Sequence, residues 1–201
     1  MAKHSKSMFH SGHRELQDRF DGRRIADALE KHRRLESFRE EDIQFIEQSE
    51  FFFLATAGGD AGENSVDCSF KGGHRGFVQV TGPTSLQWVD YDGNSMYRSL
   101  GNILKSPRAG LLFIRFGDEP KRLRVNGVCT LGEPDDKTGK LVVDMQADEI
   151  FPNCPRYIPN LSETTPSAYL PDESGVGAKP AWKSMDQLKD SLPDNDPHRD
   201  A

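Results

Sequence analysis

Three short stretches carry side chains that could grip an anion. In "CSFKGG", Lys71 ends a β-type run, and Ser69, two residues earlier, shares its face because strand side chains alternate. In "GNSMYRSLGNILKSP", Gly93-Asn94 ends a strand and leads into a helix expected over about Ser95 to Lys105, stopped by Pro107 and capped by Asn94 or Ser95. Arg98 and Ser99 lie in or near its first turn. The first N–H groups of a helix have no partner within it and carry partial positive charge, so that end favours an anion. Arg98 adds a charge-assisted bond and Ser99 a hydroxyl donor. In "KRLRVNG", Arg122 and Arg124 alternate with Leu123 and Val125, so both guanidinium groups point to one face. Singly, these are an ordinary capped connector and two solvated strand faces. Together they suit a phosphorylated, planar ligand.

The elements that must position these residues follow from hydrophobic pattern. Residues 1–10 read as a disordered lead. Leu16 and Phe20, then Ile25, Ala28 and Leu29, recur at helical spacing with a break at Gly22. "SFREEDIQFIEQ" predicts a helix with a capping box, Ser37 to Glu40, and with Ile43 and Ile46 on its buried face beside Phe45. "FFFLATAG" (51–58) predicts a buried strand. "NSVDCSFKGGHRGFVQVTG" predicts a β-hairpin turning at Gly72-Gly73. "SLQWVDY", "GLLFIRFG", "KRLRVNGVCTLG" and "KLVVDMQADEIFPNCPRYI" supply further strands, the last with room for a short helix. Asn126-Gly127 is either a hairpin turn or a bulge within one long strand. Helices do not alternate with strands, which excludes a doubly wound fold. The pattern predicts a mainly β, α+β domain: a small antiparallel β-barrel with flanking helices. The boundaries expected are an N-terminal helical extension over 1–36, the barrel over 37–160 and a polar, Pro-rich tail over 161–201.

Composition narrows the function classes. Of the 201 residues, 35% are apolar and the formal net charge is -6. A main partner of nucleic acid is disfavoured, since phosphate neutralisation needs surplus Lys and Arg. Cys68, Cys129 and Cys154 are odd in number and widely spaced, which is neither a disulfide framework nor a CxxC metal site and suits a reducing compartment. No apolar run approaches the ~18 residues of a membrane span. The start lacks the apolar core of a secretory signal, so the chain reads as cytoplasmic.

Other reactive residues have plainer roles. His10 and His13 lack a third metal ligand nearby and read as a solvated pair. Cys154 reads as a small buried hydrophobe with nothing to activate its thiol. His74 reads as a loop residue, and Trp88 as core or interface. Asp90 and Asp92 beside Tyr91 read as a solvated acidic turn.

The ordered set of motifs resembles the pyridoxamine 5'-phosphate oxidase-like, FMN-binding split β-barrel family over roughly residues 40–160. "FFFLAT" looks like that family's first barrel strand, and "DCSFKGGHRGFVQVTG" like its second and third. "NILKSPRAGLLF" resembles its helix–Asn-Pro-Arg–strand segment, "KRLRVNGVCTL" its next strand and "IFPNCPRYI" a late barrel element. The resemblance implies a homodimer that holds FMN at the subunit interface and acts on a small molecule as an oxidoreductase. An alternative within the same fold is a carrier or sensor that binds flavin, haem or a deazaflavin without turnover.

Carried over position by position, the resemblance implies that the strand Val66, Asp67, Cys68, Ser69, Phe70 and Lys71 approaches the flavin. Val80 and Thr81 match a ligand-facing pair on the next strand. Arg98 and Ser99 match an Arg-Lys pair that grips the phosphate, and Arg122 falls where a Gln reaches the ring from the partner subunit. The sequence departs from the oxidases proper in three ways. Val66 replaces a phosphate-binding Arg, and Ser99 replaces Lys while keeping a donor. No C-terminal strand carries the substrate-binding Arg and His, for Trp182 lies in the polar tail and His198 is almost terminal. Pyridoxamine phosphate is therefore not the expected substrate.

Overall fold

The structure, a computed structural model, describes residues 7–60, 65–91, 95–155, 158, 161, 173, 177–185, 196 and 198. Helices α1 (Ser11–Arg19), α2 (Arg23–Arg33) and α3 (Glu40–Gln48) precede strands β1 (Phe51–Gly58), β2 (Ser65–Gly72), β3 (Val78–Gly82) and β4 (Ser85–Val89). Helix α4 (Arg98–Lys105) and strands β5 (Arg108–Arg115), β6 (Lys121–Pro134) and β7 (Leu141–Asn153) follow. The strands form one seven-stranded antiparallel sheet in the order β2-β1-β5-β6-β7-β4-β3.

The sheet curls on itself because one face is apolar along every central strand. Phe52 and Leu54 of β1, Leu111 and Phe113 of β5, Leu123 and Val125 of β6 and Trp88 of β4 are all buried. Phe52 packs edge-to-face on Trp88 at 5.3 Å between centroids, although β1 and β4 stand four places apart in the sheet order. Such a contact requires a rolled sheet. Helix α3 packs against the β3 margin: Phe45 and Ile46 enter the core, while Glu47 Oε1 accepts from Val80 N at 3.2 Å.

Two expected turns resolve differently. Gly72-Gly73 does not make a hairpin. β2 folds back on β1, with Phe53 opposite Phe70 and Thr56 opposite Asp67, and β3 pairs with β4 instead. The reason is the apolar run of β1, whose outward phenylalanines Phe51 and Phe53 meet Phe70 across the pair, at 5.3 and 5.9 Å between centroids. Gly73 instead lets the chain cross close over Phe77: a Cβ there would lie 2.3 Å from the ring. Asn126-Gly127, by contrast, is a bulge within β6, where the register against β7 shifts. A Cβ on Gly127 would come within 2.2 Å of the Gln146 carbonyl oxygen, so only glycine permits this approach. β7 then runs unbroken to Asn153 with no helix.

Helix starts also fall later than their sequence signals. α3 begins at Glu40, not Ser37, because the Asp42 carboxylate accepts from Arg39 N at 3.4 Å and from Arg39 Nε at 2.7 Å. Residues 7–10 of the expected disordered lead are ordered against α2: Met8 N donates to Glu30 Oε1 at 2.6 Å, and His10 caps α1. Helices α1 and α2 bury none of their residues and join the sheet through the Leu35–Ile150 bridge. Cys154 is exposed rather than buried, because it follows the last residue of β7 and leaves the sheet. Trp88 is core. Among the described residues, no helix is long and apolar enough to cross a membrane.

Candidate functional site

The site lies where α4 packs along the β1–β2 hairpin, its later residues at the turn end of the pair and its first turn against Asp67 and Ser69. Two features fix the helix there. Gly58 of β1 approaches so closely that a Cβ would meet the Asn102 backbone at 2.8 Å. Asn102, itself buried, donates through Nδ2 to Thr56 Oγ1 at 3.2 Å and to the Ser65 carbonyl at 3.3 Å. A buried amide satisfied by two strands sets the rotation of the helix as well as its position. Leu100 and Ile103 then face the core, Leu104 faces solvent, and Ser99 is directed at β2.

α4 begins at Arg98, three residues later than expected, and Tyr97 rather than Ser95 is its N-cap. Asn94, the other expected cap, lies outside the described residues. Ser95 and Tyr97 both have left-handed backbone, φ 57° and 48°, which costs non-glycine residues roughly 1–3 kcal/mol each. The Tyr97 side chain makes no capping hydrogen bond, and residues 96–100 at the start of the helix line the cleft.

Strand alternation supplies the opposite wall. Asp67, Ser69 and Lys71 face inward and are half-buried, while Val66, Cys68 and Phe70 face outward and are exposed. The cleft, about 320 Å³, is lined by Asp67, Ser69, Phe70 and Lys71 of β2, by Val89, Asp90 and Tyr91 after β4, and by Met96 to Leu100. It thus brings together Asp67, Ser69, Phe70, Lys71, Arg98 and Ser99 of the sequence-expected set. It does not bring in Val66 or Cys68, which lie on the outer face of the same strand.

Val80 and Thr81 are also elsewhere. Val78 pairs with Trp88 and Val80 with Leu86, which puts 80–81 at the turn end of β3–β4, whereas the cleft receives the opposite end of β4. Val80 packs against the core and Thr81 is exposed. Arg122 stands beside Ile114 on the outer face of β6, and its Nη2 donates to the Cys154 carbonyl at 2.6 Å.

Electrostatically the cleft is a set of paired charges. Lys71 Nζ lies 2.6 Å from Asp90 Oδ1, with both side chains largely buried. Arg98 Nε lies 3.5 Å from Asp67 Oδ1, and the Arg98 side chain remains 58% exposed. Ser99 donates to Asp67 Oδ2 at 2.8 Å, and Ser69 and Ser99 share a hydroxyl contact of 2.8 Å. The Ser99 donor is therefore engaged within the protein. Asp90 is no solvated turn residue: it is 4% exposed and its amide donates to the Leu141 carbonyl at 2.9 Å. Burial pushes the neighbouring Tyr91 phenol up, with a smaller push from Asp135. The partnership of Lys71 with Asp90 joins residues 19 positions apart on unpaired strands, and only the short polar step "VDY" after an apolar strand signals it.

The donor set of Lys71, Arg98 and the α4 N-terminus suits a phosphate group, and Asp67 and Asp90 offset the positive charge of the two side chains. Next to it the outer face of β2 and β1 offers Phe70, 62% exposed, stacked on Phe51. His10 and His13 are stacked at 3.6 Å on the exposed N-terminal turn, remote in sequence from the cleft lining.

A scan of protein-family models finds no match to the chain, and a search of curated proteins finds none. Among solved structures, the chain is similar to a provisionally assigned pyridoxamine 5'-phosphate oxidase of Listeria innocua. That match has 13% identity, 56% of this chain and 95% of that one covered, and a TM-score of 0.41. It is similar to an FMN-binding protein of Syntrophomonas wolfei at 10% identity, covering 69% and 95%, with a TM-score of 0.39. A FAD-binding protein of Mesorhizobium loti matches at 10% identity, covering 57% and 94%, with a TM-score of 0.37. At such values the chemistry is read from the cleft itself.

Proposed function

We propose that this protein is an FMN-binding flavoprotein, a homodimer that acts as an FMN-dependent oxidoreductase on a small molecule. The observation that carries the reading is the convergence of Lys71, Arg98 and the start of α4 at one cleft, beside a sheet face with Val66 and Phe70 exposed. The cleft suits the phosphate: Arg98 offers a planar, partly exposed guanidinium, and the α4 amides supply neutral donors. The outer face, with Val66 and Phe70 exposed and Phe51 and Phe53 half-buried behind them, suits a planar ring and a second copy of the chain over it. Arg122 and Arg124 share that outer sheet face, where a partner's ligand would meet them.

Bound FMN would supply the electron-transfer chemistry, and the chain would bind it, orient it and shield it from water. Both carboxylates of the cleft are engaged with cations, which favours a second reading: a carrier or sensor that holds the flavin without turnover. Titration of purified protein with FMN, followed by quenching of flavin fluorescence, tests the first claim. Saturable binding of one FMN per chain supports it, and no binding refutes it. Reduction of the loaded protein by NADH or NADPH, then reoxidation by candidate acceptors, separates the enzyme from the carrier. A haem or deazaflavin spectrum in the protein as purified would replace FMN as the ligand.

A further inference from the structure

Both serine hydroxyls of the cleft are already committed, and one carboxylate commits them. Ser99, 4% exposed, has a single hydroxyl hydrogen, and it points to Asp67 Oδ2 at 2.8 Å. In the 2.8 Å Ser69–Ser99 contact the donor must then be Ser69, since the Ser99 hydrogen is in use. The other Asp67 oxygen lies 3.5 Å from Arg98 Nε. Asp67 therefore engages Arg98 and Ser99 directly and Ser69 through Ser99. It occupies, as an internal anion, the place where these groups would meet an external one.

The two ion pairs of the cleft differ in how readily they part. Lys71 and Asp90 are 2.6 Å apart, with side chains 17% and 3% exposed. Arg98 and Asp67 are 3.5 Å apart, and Arg98 is 58% exposed. Separating the first leaves a 3% exposed carboxylate without its counter-ion, whereas in the second Arg98 can turn to water while Asp67, 17% exposed, still accepts from Ser99.

We propose that Asp67 is a resident counter-ion that competes with the ligand's phosphate for Arg98 and the Ser99–Ser69 pair. The proposal rests on the reading that a phosphate enters this cleft. Phosphate binding beside an unmoved Asp67 sets like charges against each other. When the carboxylate swings away, the Ser99 hydrogen is freed to turn to the ligand and Arg98 loses its competitor. Asp67 thus lowers affinity for phosphorylated ligands while leaving the neutral part of the ligand unaffected.

The test is titration of the full-length chain with FMN and with riboflavin, which lacks the phosphate. D67N keeps the side-chain shape and an oxygen that accepts from Ser99, and it removes the charge. D67N should bind FMN at least about tenfold more tightly than wild type, with riboflavin binding unchanged. The gain should shrink on the Arg98-deficient background, when R98Q is compared with D67N/R98Q, because most of it acts through the guanidinium. Equal or weaker FMN binding by D67N overturns the proposal, as does an equal gain for riboflavin, which would put Asp67 against the ring. Asp67→Ser predicts the same direction and replaces D67N if that variant does not fold. The underlying reading fails separately, if R98Q binds FMN as wild type does. If neither wild type nor D67N binds FMN, both are overturned.

Discussion

At the residue scale, the cleft separates side chains that hold the fold from side chains that are free to hold a ligand. Lys71 belongs partly to the first group, because Asp90 is buried and has the Lys71 ammonium at 2.6 Å. Lys71→Met strands a buried carboxylate, and should cost on the order of 3–5 kcal/mol in urea unfolding. An unchanged midpoint would show that Asp90 is solvated instead. Lost FMN binding in that variant would therefore be ambiguous. Arg98, more than half exposed and only loosely paired, carries no such structural duty. The sequence made Ser69, Lys71, Arg98 and Ser99 legible as donors through alternation and helix position. It did not reveal that Asp67 and Asp90 neutralise them, because those pairings depend on how α4 and the end of β4 meet β2.

At the scale of elements, period and apolar runs were sufficient for nearly every strand, but not for the pairing of β2. The Gly72-Gly73 turn signal was overridden by the aromatic match of β1 with β2, a tertiary preference stronger than local turn chemistry. Helix α3 shows a similar override: a capping box at Ser37 lost to Asp42, which is fully buried and bound by Arg39 and Lys121. Burial pushes the Asp42 carboxyl up, but the Arg39 hydrogen bond and the charges of Arg39 and Lys121 outweigh it and hold it below its usual 3.8. A depressed folded-state value means stability that is present above 3.8 and is lost as pH falls through the lower, folded value. Asp42→Asn should cost roughly 1.5–3 kcal/mol at pH 7, the worth of hydrogen bonds to a charged group. The gap between the two proteins should narrow in urea titrations carried to strongly acid pH. A constant gap would assign the cost to packing rather than charge.

At the scale of the whole molecule, one sheet face makes the core and the other remains apolar around the cleft. Val66 and Phe70 are 72% and 62% exposed, which is unusual for neighbours on one face of a margin strand. The homodimer proposed above would cover them. Val66→Lys/Phe70→Lys should convert a dimer to a monomer in sedimentation velocity, and FMN affinity should fall with it if the partner completes the site. A wild-type monomer would remove the interface from the account. The amphipathic N-terminal helices, with Leu16, Phe20 and Ile25 exposed, were legible as helices, but nothing in their spacing tells what they meet.

The central claim is that Arg98 and the start of α4 hold the phosphate of FMN. Equilibrium titration of wild type and Arg98→Ala with FMN tests it most directly, with the melting temperature of each measured without ligand. The account predicts a loss of roughly 1.5–3 kcal/mol in FMN binding for Arg98→Ala, with little change in melting temperature. Equal affinity in the two proteins would contradict it.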